Sequence, residues 1–222
     1  MAAAKPLLPV VVLISGRGSN LQAIIEAAAR GECPVEIRAV ISNRPDAEGL
    51  QNTALRGIRT LVIDHACYSS RESFDLALMT TIDTFEPALV VLAGFMRILT
   101  PGFVRHYHGR MLNIHPSLLP DFPGLNTHAR VLEAGCKEHG TTVHFVTEET
   151  DGGPAVAQVR MPVQDNDNVT SLAARVLAEE HRLFPLAIRW FAEGRLSLDN
   201  SHVLYDGRAL PAPRQLEPAT LR

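Results

Sequence analysis

Asn113-Ile114-His115 sets an amide and an imidazole two residues apart. In a strand such residues face the same way, so the two would stand side by side. An amide beside an imidazole suits holding a developing oxyanion and moving a proton, and histidine is the side chain that ordinarily titrates near neutrality. A polar cap on a strand end is the plainer alternative. Asp151-Gly152-Gly153-Pro154 has the composition of a turn. Its other use would be a carboxylate delivered by a loop to His115, where it would favour the imidazolium. Ser15-Gly16-Arg17-Gly18-Ser19-Asn20 lies between an apolar run and a helical pattern, where free N–H groups and the helix dipole attract phosphate. The dinucleotide fingerprint is incomplete, because Leu21 replaces its third glycine and Ser42-Asn43 its acid. No Lys-Ser/Thr pair follows, which excludes a P-loop. A phosphomonoester fits this turn, and a purely structural tight turn stays open.

These groups need elements to carry them. Continuous apolar runs at Val10–Ile14, Val35–Ser42, Thr60–Ile63, Leu89–Ala93 and Met111–His115 read as buried strands. Helical spacing falls between them. Asn20–Arg30 is capped by Ser19 or Asn20, Ala47–Arg56 is closed by Gly57, a third helix runs from a Ser69/Glu72 capping box to about Phe85, and Thr100-Pro101 opens a short one. The rhythm predicts an α/β, doubly wound, mostly parallel sheet. Ligands of such sheets bind beyond the carboxyl ends of the strands. After Thr141–Val146 the Asp151 turn sends Ala155–Met161 back antiparallel. Val169–Phe191 reads as a long helix interrupted near Pro185, and Asp206-Gly207 as the turn of a terminal hairpin, an antiparallel C-terminal extension.

Composition narrows the class. The 222 residues are 46% apolar and 20% charged with a net charge of −3, which predicts one globular domain and does not call for a basic face that binds nucleic acid. Cys33, Cys67 and Cys136 form neither a disulfide framework nor a zinc motif. No apolar run approaches a membrane span, and Met1–Pro9 lacks the pattern of a signal peptide, so a cytoplasmic protein is expected. His106-Tyr107-His108 has no partner at zinc spacing, so no metal is expected. Ser117 lacks the setting of a serine nucleophile. His139 and His144 read as surface or packing residues, with His144 on the side of the Asp151 turn if the hairpin pairs.

SGRGSNLQAIIEA at Ser15–Ala27, VVLAGFMRILTP at Val90–Pro101, NIHPSLLPDFPGLNTH at Asn113–His128 and HGTTVHFVTEETDGGP at His139–Pro154 together resemble the phosphoribosylglycinamide formyltransferase family. The resemblance spans roughly residues 9 to 210. It implies a Rossmann-like formyltransferase fold with a phosphate-binding part at 9–108, a folate and catalytic part at 109–210, and a loose tail at 211–222. It also implies direct transfer of the formyl group of 10-formyltetrahydrofolate, the co-substrate, to the amine of glycinamide ribonucleotide in purine biosynthesis. On the family's pattern Asn113 and His115 stabilise the oxyanion, and Asp151 orients His115 and holds it as the imidazolium. Gly18, Ser19, Asn20 and Glu180 fall on the ribonucleotide side. Arg71, Met96, Arg97, Ile98, Leu99, Asn113, Thr147, Glu148, Glu149, Thr150 and Asp151 fall on the folate side. The implied partners are these two small molecules, with no nucleic acid and no membrane, in a monomer or homodimer.

Three positions depart from the pattern: Arg17 in the phosphate loop, Asn126 where relatives often carry His, and Thr150 in place of an apolar residue. Related formyl-folate enzymes set the alternatives. A methionyl-tRNA formyltransferase would carry a long C-terminal tRNA domain and a basic surface. A formyltetrahydrofolate hydrolase would carry an N-terminal regulatory domain. A catalytically silent phosphate or folate binder would not require Asn113, His115 and Asp151 together.

Overall fold

The computed structural model describes residues 6–218. Met1–Lys5 and Ala219–Arg222, with part of the reading of the N-terminus and the end of the tail, lie outside the described residues. In chain order the elements are β1 (Leu8–Ile14), α1 (Ser19–Ala29), β2 (Val35–Ser42), α2 (Glu48–Ala54), β3 (Thr60–Val62), α3 (Arg71–Asp83), β4 (Leu89–Leu92), α4 (Pro101–His106), β5 (Met111–His115), α5 (Thr127–Glu133), β6 (Glu138–Phe145), β7 (Ala155–Pro162), α6 (Val169–Ala192), β8 (Leu196–Asp199), β9 (His202–Tyr205), β10 (Arg208–Ala209) and β11 (Arg214–Leu216). Eight strands form one sheet in the order β11-β7-β6-β5-β4-β1-β2-β3, and β10-β9-β8 form a small antiparallel sheet. The five strands from β3 to β5 pair in parallel, while β6 pairs antiparallel with both β5 and β7.

Alternation along β1 shows how the sheet is held. Val10, Val12 and Ile14 point into the apolar layer beneath α1 and α6, and Val11 and Leu13 into the layer beneath α3 and α4. Each of the five side chains is fully buried. At roughly 1.5–3 kcal/mol for each buried aliphatic side chain, one charge placed in this strand would disrupt both layers.

Local details correct several expectations. The N-cap of α1 is Gly18, not Ser19 or Asn20; its φ is +72° and no side chain caps the helix. A Cβ at Gly18 would lie 3.0 Å from the Gly49 Cα, so close approach of α2 also selects glycine. The capping box of α3 is Ser70 with Ser73, one residue beyond the expected pair, because the Ser73 hydroxyl serves in place of a carboxylate. Helix α6 runs unbroken through Pro185. Leu183, Phe184, Ala187 and Ile188 bury on the sheet on both sides of it, and that packing outweighs the lost hydrogen bond. Helix α5 lies where no helical pattern was read; it follows Asn126, whose φ of 57° suits asparagine. The tail is not loose throughout: Arg214–Leu216 adds to β7 in parallel, and the Arg214 guanidinium lies 4.2 Å from the Tyr205 ring centroid.

Candidate active site

The register of β5 against β6 builds the centre of the site. Asn113 pairs with His144 and His115 with Thr142. Chain reversal after Phe145 returns Pro154 to it, with the Phe145 N–H donating to the Pro154 carbonyl at 3.0 Å. Gly153 is required there, because a Cβ would collide with the Phe145 carbonyl oxygen. The returning loop brings Asp151, at φ 54°, to His115, with Nδ1 and Oδ2 3.4 Å apart. The Gly124 N–H donates to the same carboxylate oxygen at 2.8 Å. On its other side His115 Nε2 lies 3.0 Å from the Phe122 carbonyl. Both ring nitrogens therefore face oxygen atoms, Asp151 Oδ2 on one side and the Phe122 carbonyl on the other.

His144 completes the group. Its Nδ1 lies 2.9 Å from the Phe145 carbonyl and its Nε2 3.0 Å from Asn113 Nδ2. Burial holds its pKa below the ordinary histidine value, outweighing the nearby Asp151 charge. A neutral ring protonated on Nδ1 satisfies both contacts: it donates to the carbonyl and accepts from the amide. This fixes which end of Asn113 is nitrogen and leaves its second N–H for another acceptor.

These residues line a cavity of about 690 Å³. One wall is Met96, Arg97, Ile98 and Leu99, and another is Thr147, Glu148, Glu149, Thr150 and Asp151. Met96 and Ile98 are 68% and 56% exposed, so core packing does not account for them, whereas Leu99 belongs to the core. With Leu125, 74% exposed at the same cavity, they form an apolar surface for a flat ligand. Arg71 is exposed at the first position of α3 and is not among the lining residues.

Gly18, Ser19 and Asn20, expected on the phosphate side, lie at the start of α1, apart from that lining. Asn20 Nδ2 donates to Glu180 Oε2 at 2.7 Å, joining α1 to α6. Burial pushes the Glu180 carboxyl up to about 7, and the Asn20 hydrogen bond offsets only part of that shift. Asn20 Oδ1 is buried with no partner among the described residues. Asn20 and Glu180 thus offer a free acceptor and a titratable acid beside the helix N-terminus.

A family model described as formyl transferase matches residues 8–188. The phosphoribosylglycinamide formyltransferase of Escherichia coli (strain K12) is 52% identical over 202 residues, which cover 91% of this chain and 95% of that one. The chain belongs to the formyl transferase family. Its fold is that of solved members: the phosphoribosylglycinamide formyltransferase of Coxiella burnetii superposes with a TM-score of 0.92 at 50% identity, covering 95% of this chain and 99% of that one. Glycinamide ribonucleotide transformylase 1 of Symbiobacterium toebii gives 0.88 at 44% identity, covering 92% and 97%.

Within this formyl transferase framework, sequence reasoning passed over His144, reading it as surface or packing. The reversal at Asp151 puts His144 on the side of that turn, and the separate register of β6 against β5 pairs it with Asn113. His128 and His139 were likewise unassigned; their rings meet at 3.0 Å, and burial pushes His139 down to about 4. Of the three departures, Asn126 lies at the left-handed start of α5 and lines the cavity. Thr150 is an exposed lining residue, and Arg17 is exposed in the turn between β1 and α1.

Proposed function

We propose that this chain transfers the formyl group of 10-formyltetrahydrofolate to the amine of glycinamide ribonucleotide, giving formyl-glycinamide ribonucleotide and tetrahydrofolate in cytoplasmic purine biosynthesis. The observation that carries the reading is the convergence of Asn113, His115 and Asp151 in the cavity walled by Met96–Leu99 and Thr147–Asp151. In the reaction the amine nitrogen bonds to the formyl carbon, the bond from that carbon to the folate nitrogen breaks, and a proton passes from amine to folate nitrogen. The second N–H of Asn113 donates to the formyl oxygen as negative charge develops there. His115 exchanges its Phe122 carbonyl contact for the same oxygen and carries a proton. Asp151, held by the Gly124 N–H, keeps the His115 ring in place. Gly18, Ser19 and Asn20 take the ribonucleotide phosphate, and Glu180 takes its ribose. The apolar surface of Met96, Ile98 and Leu125 suits the face of a pteridine, with Arg97, Leu99 and the Thr147–Asp151 loop enclosing it. No metal is required in this scheme. The deciding experiment follows formyl loss from 10-formyltetrahydrofolate with purified protein. Loss that requires glycinamide ribonucleotide is expected; loss without it would replace transfer by hydrolysis, and no loss in either case would make the protein a silent binder.

A further inference from the structure

The wall formed by Met96–Leu99 is held at both ends by side chains from distant elements. At its start, the Met96 N–H donates to the Ser15 hydroxyl at 2.7 Å. That hydroxyl is buried and donates in turn to Asn43 Oδ1 at 2.5 Å, so its proton and one of its two lone pairs are committed. Just beyond its other end, the Thr100 N–H donates to Asp75 Oδ2 at 2.6 Å. Asp75 is 3% exposed on α3, the helix whose Phe74 ring lies 5.8 Å beneath the Arg97 guanidinium. Among the described residues none accepts a hydrogen bond from the main-chain N–H of Arg97, Ile98 or Leu99. The segment is therefore suspended between two clamps, with its main-chain donors available to a ligand.

We propose that Ser15 and Asp75 are positioning residues for the folate-side wall, although Ser15 opens the phosphate loop and Asp75 lies outside the cavity lining. Neither touches the reacting atoms. Ser15 keeps its main-chain bond to the Gly94 carbonyl at 3.1 Å whatever its side chain, and the next residue is held by the Gly49 N–H donating to the Gly16 carbonyl at 3.1 Å. Removing the Ser15 hydroxyl thus leaves the phosphate loop anchored and releases the folate wall. Removing the Asp75 carboxylate releases the same wall from its other end.

The inference rests on the formyl-transfer reading, and its test separates the two. In Ser15→Ala and in Asp75→Ala, KM for 10-formyltetrahydrofolate is expected to rise about tenfold, the scale of one lost buried hydrogen bond. KM for glycinamide ribonucleotide and kcat should each stay within about threefold, since the Asn113, His115 and Asp151 contacts are untouched. Ser15→Thr and Asp75→Asn retain an acceptor and should restore the folate KM. Hydrogen exchange at the Met96 and Thr100 amides supplies a readout independent of turnover: Ser15→Ala should speed Met96, and Asp75→Ala should speed Thr100. If Ser15→Ala fails to fold, Asn43→Ala, which removes the acceptor behind Ser15 together with the Asn43 Nδ2 contact to His65 at 3.2 Å, carries that arm with a smaller rise in the same KM. If Asp75→Ala fails to fold, amide exchange and KM in Asp75→Asn carry the other. Equal changes in both KM values, a change in kcat alone, or unchanged amide exchange in folded variants would overturn the proposal. Absence of transfer by the unaltered protein would overturn the activity instead.

Discussion

His115 has an acceptor at each ring nitrogen, the Phe122 carbonyl on one side and the Asp151 carboxylate on the other. Any hydrogen bond it gives a substrate must displace one of these, and the neutral carbonyl is the weaker competitor. His115→Ala is accordingly expected to lower kcat by about 10²–10⁴-fold, the usual range for a lost proton-handling group, and to leave the Kd for the ribonucleotide nearly unchanged. Steady-state kinetics with a separate binding titration measure both; a weakened Kd at preserved kcat would give His115 a binding role. At this scale the two-residue spacing of Asn113 and His115 was enough to place them together. Asp151 was legible as a turn, and its meeting with His115 only as a conditional. His144 was legible only as lying on the side of the Asp151 turn; its pairing with Asn113 comes from strand register, which its local sequence does not mark. Only the resemblance put Glu180 on the ribonucleotide side, since a buried acid on a helix far along the chain has no local pattern.

The β6–β7 reversal is the element on which the centre depends. Gly153→Ala is expected to push the loop off the Phe145 carbonyl, costing roughly 1–3 kcal/mol of stability and carrying Asp151 away from His115. Thermal unfolding and kcat should fall together. A variant of unchanged Tm and kcat would show that the loop has slack there. The parallel strands were readable because strands buried on both faces leave continuous apolar runs. The unbroken α6 was misread because a proline rule is local, whereas the packing of Phe184 and Ile188 that overrides it is not. Strand β11 hid in a proline-rich tail, where Arg214 stacking on Tyr205 and Trp190 supplies what an apolar run would have signalled.

For the molecule as a whole, two buried groups pull stability against pH in opposite directions. Burial lowers His139 to about 4, so the folded state binds fewer protons than the unfolded one, and stability is lost as pH falls from about 6.5 towards 4. Burial raises Glu180 to about 7, so the folded state holds a proton the unfolded chain releases, and stability is lost as pH rises from about 4.5 through 7. Each shift corresponds to about 3 kcal/mol. Glu180→Gln is therefore expected to gain on the unaltered protein as pH rises across that window, measured by denaturant unfolding at a series of pH values. Parallel curves would mean that Glu180 is ionised as readily folded as unfolded. The Asn20–Glu180 hydrogen bond joins residues 160 positions apart. At ribosomal speeds of about 5–20 residues per second, Asn20 waits roughly 8 to 32 s for Glu180 to be synthesised. Until then a nascent chain carries only one side of this contact, and the junction of α1 with α6 closes only after α6 has been made.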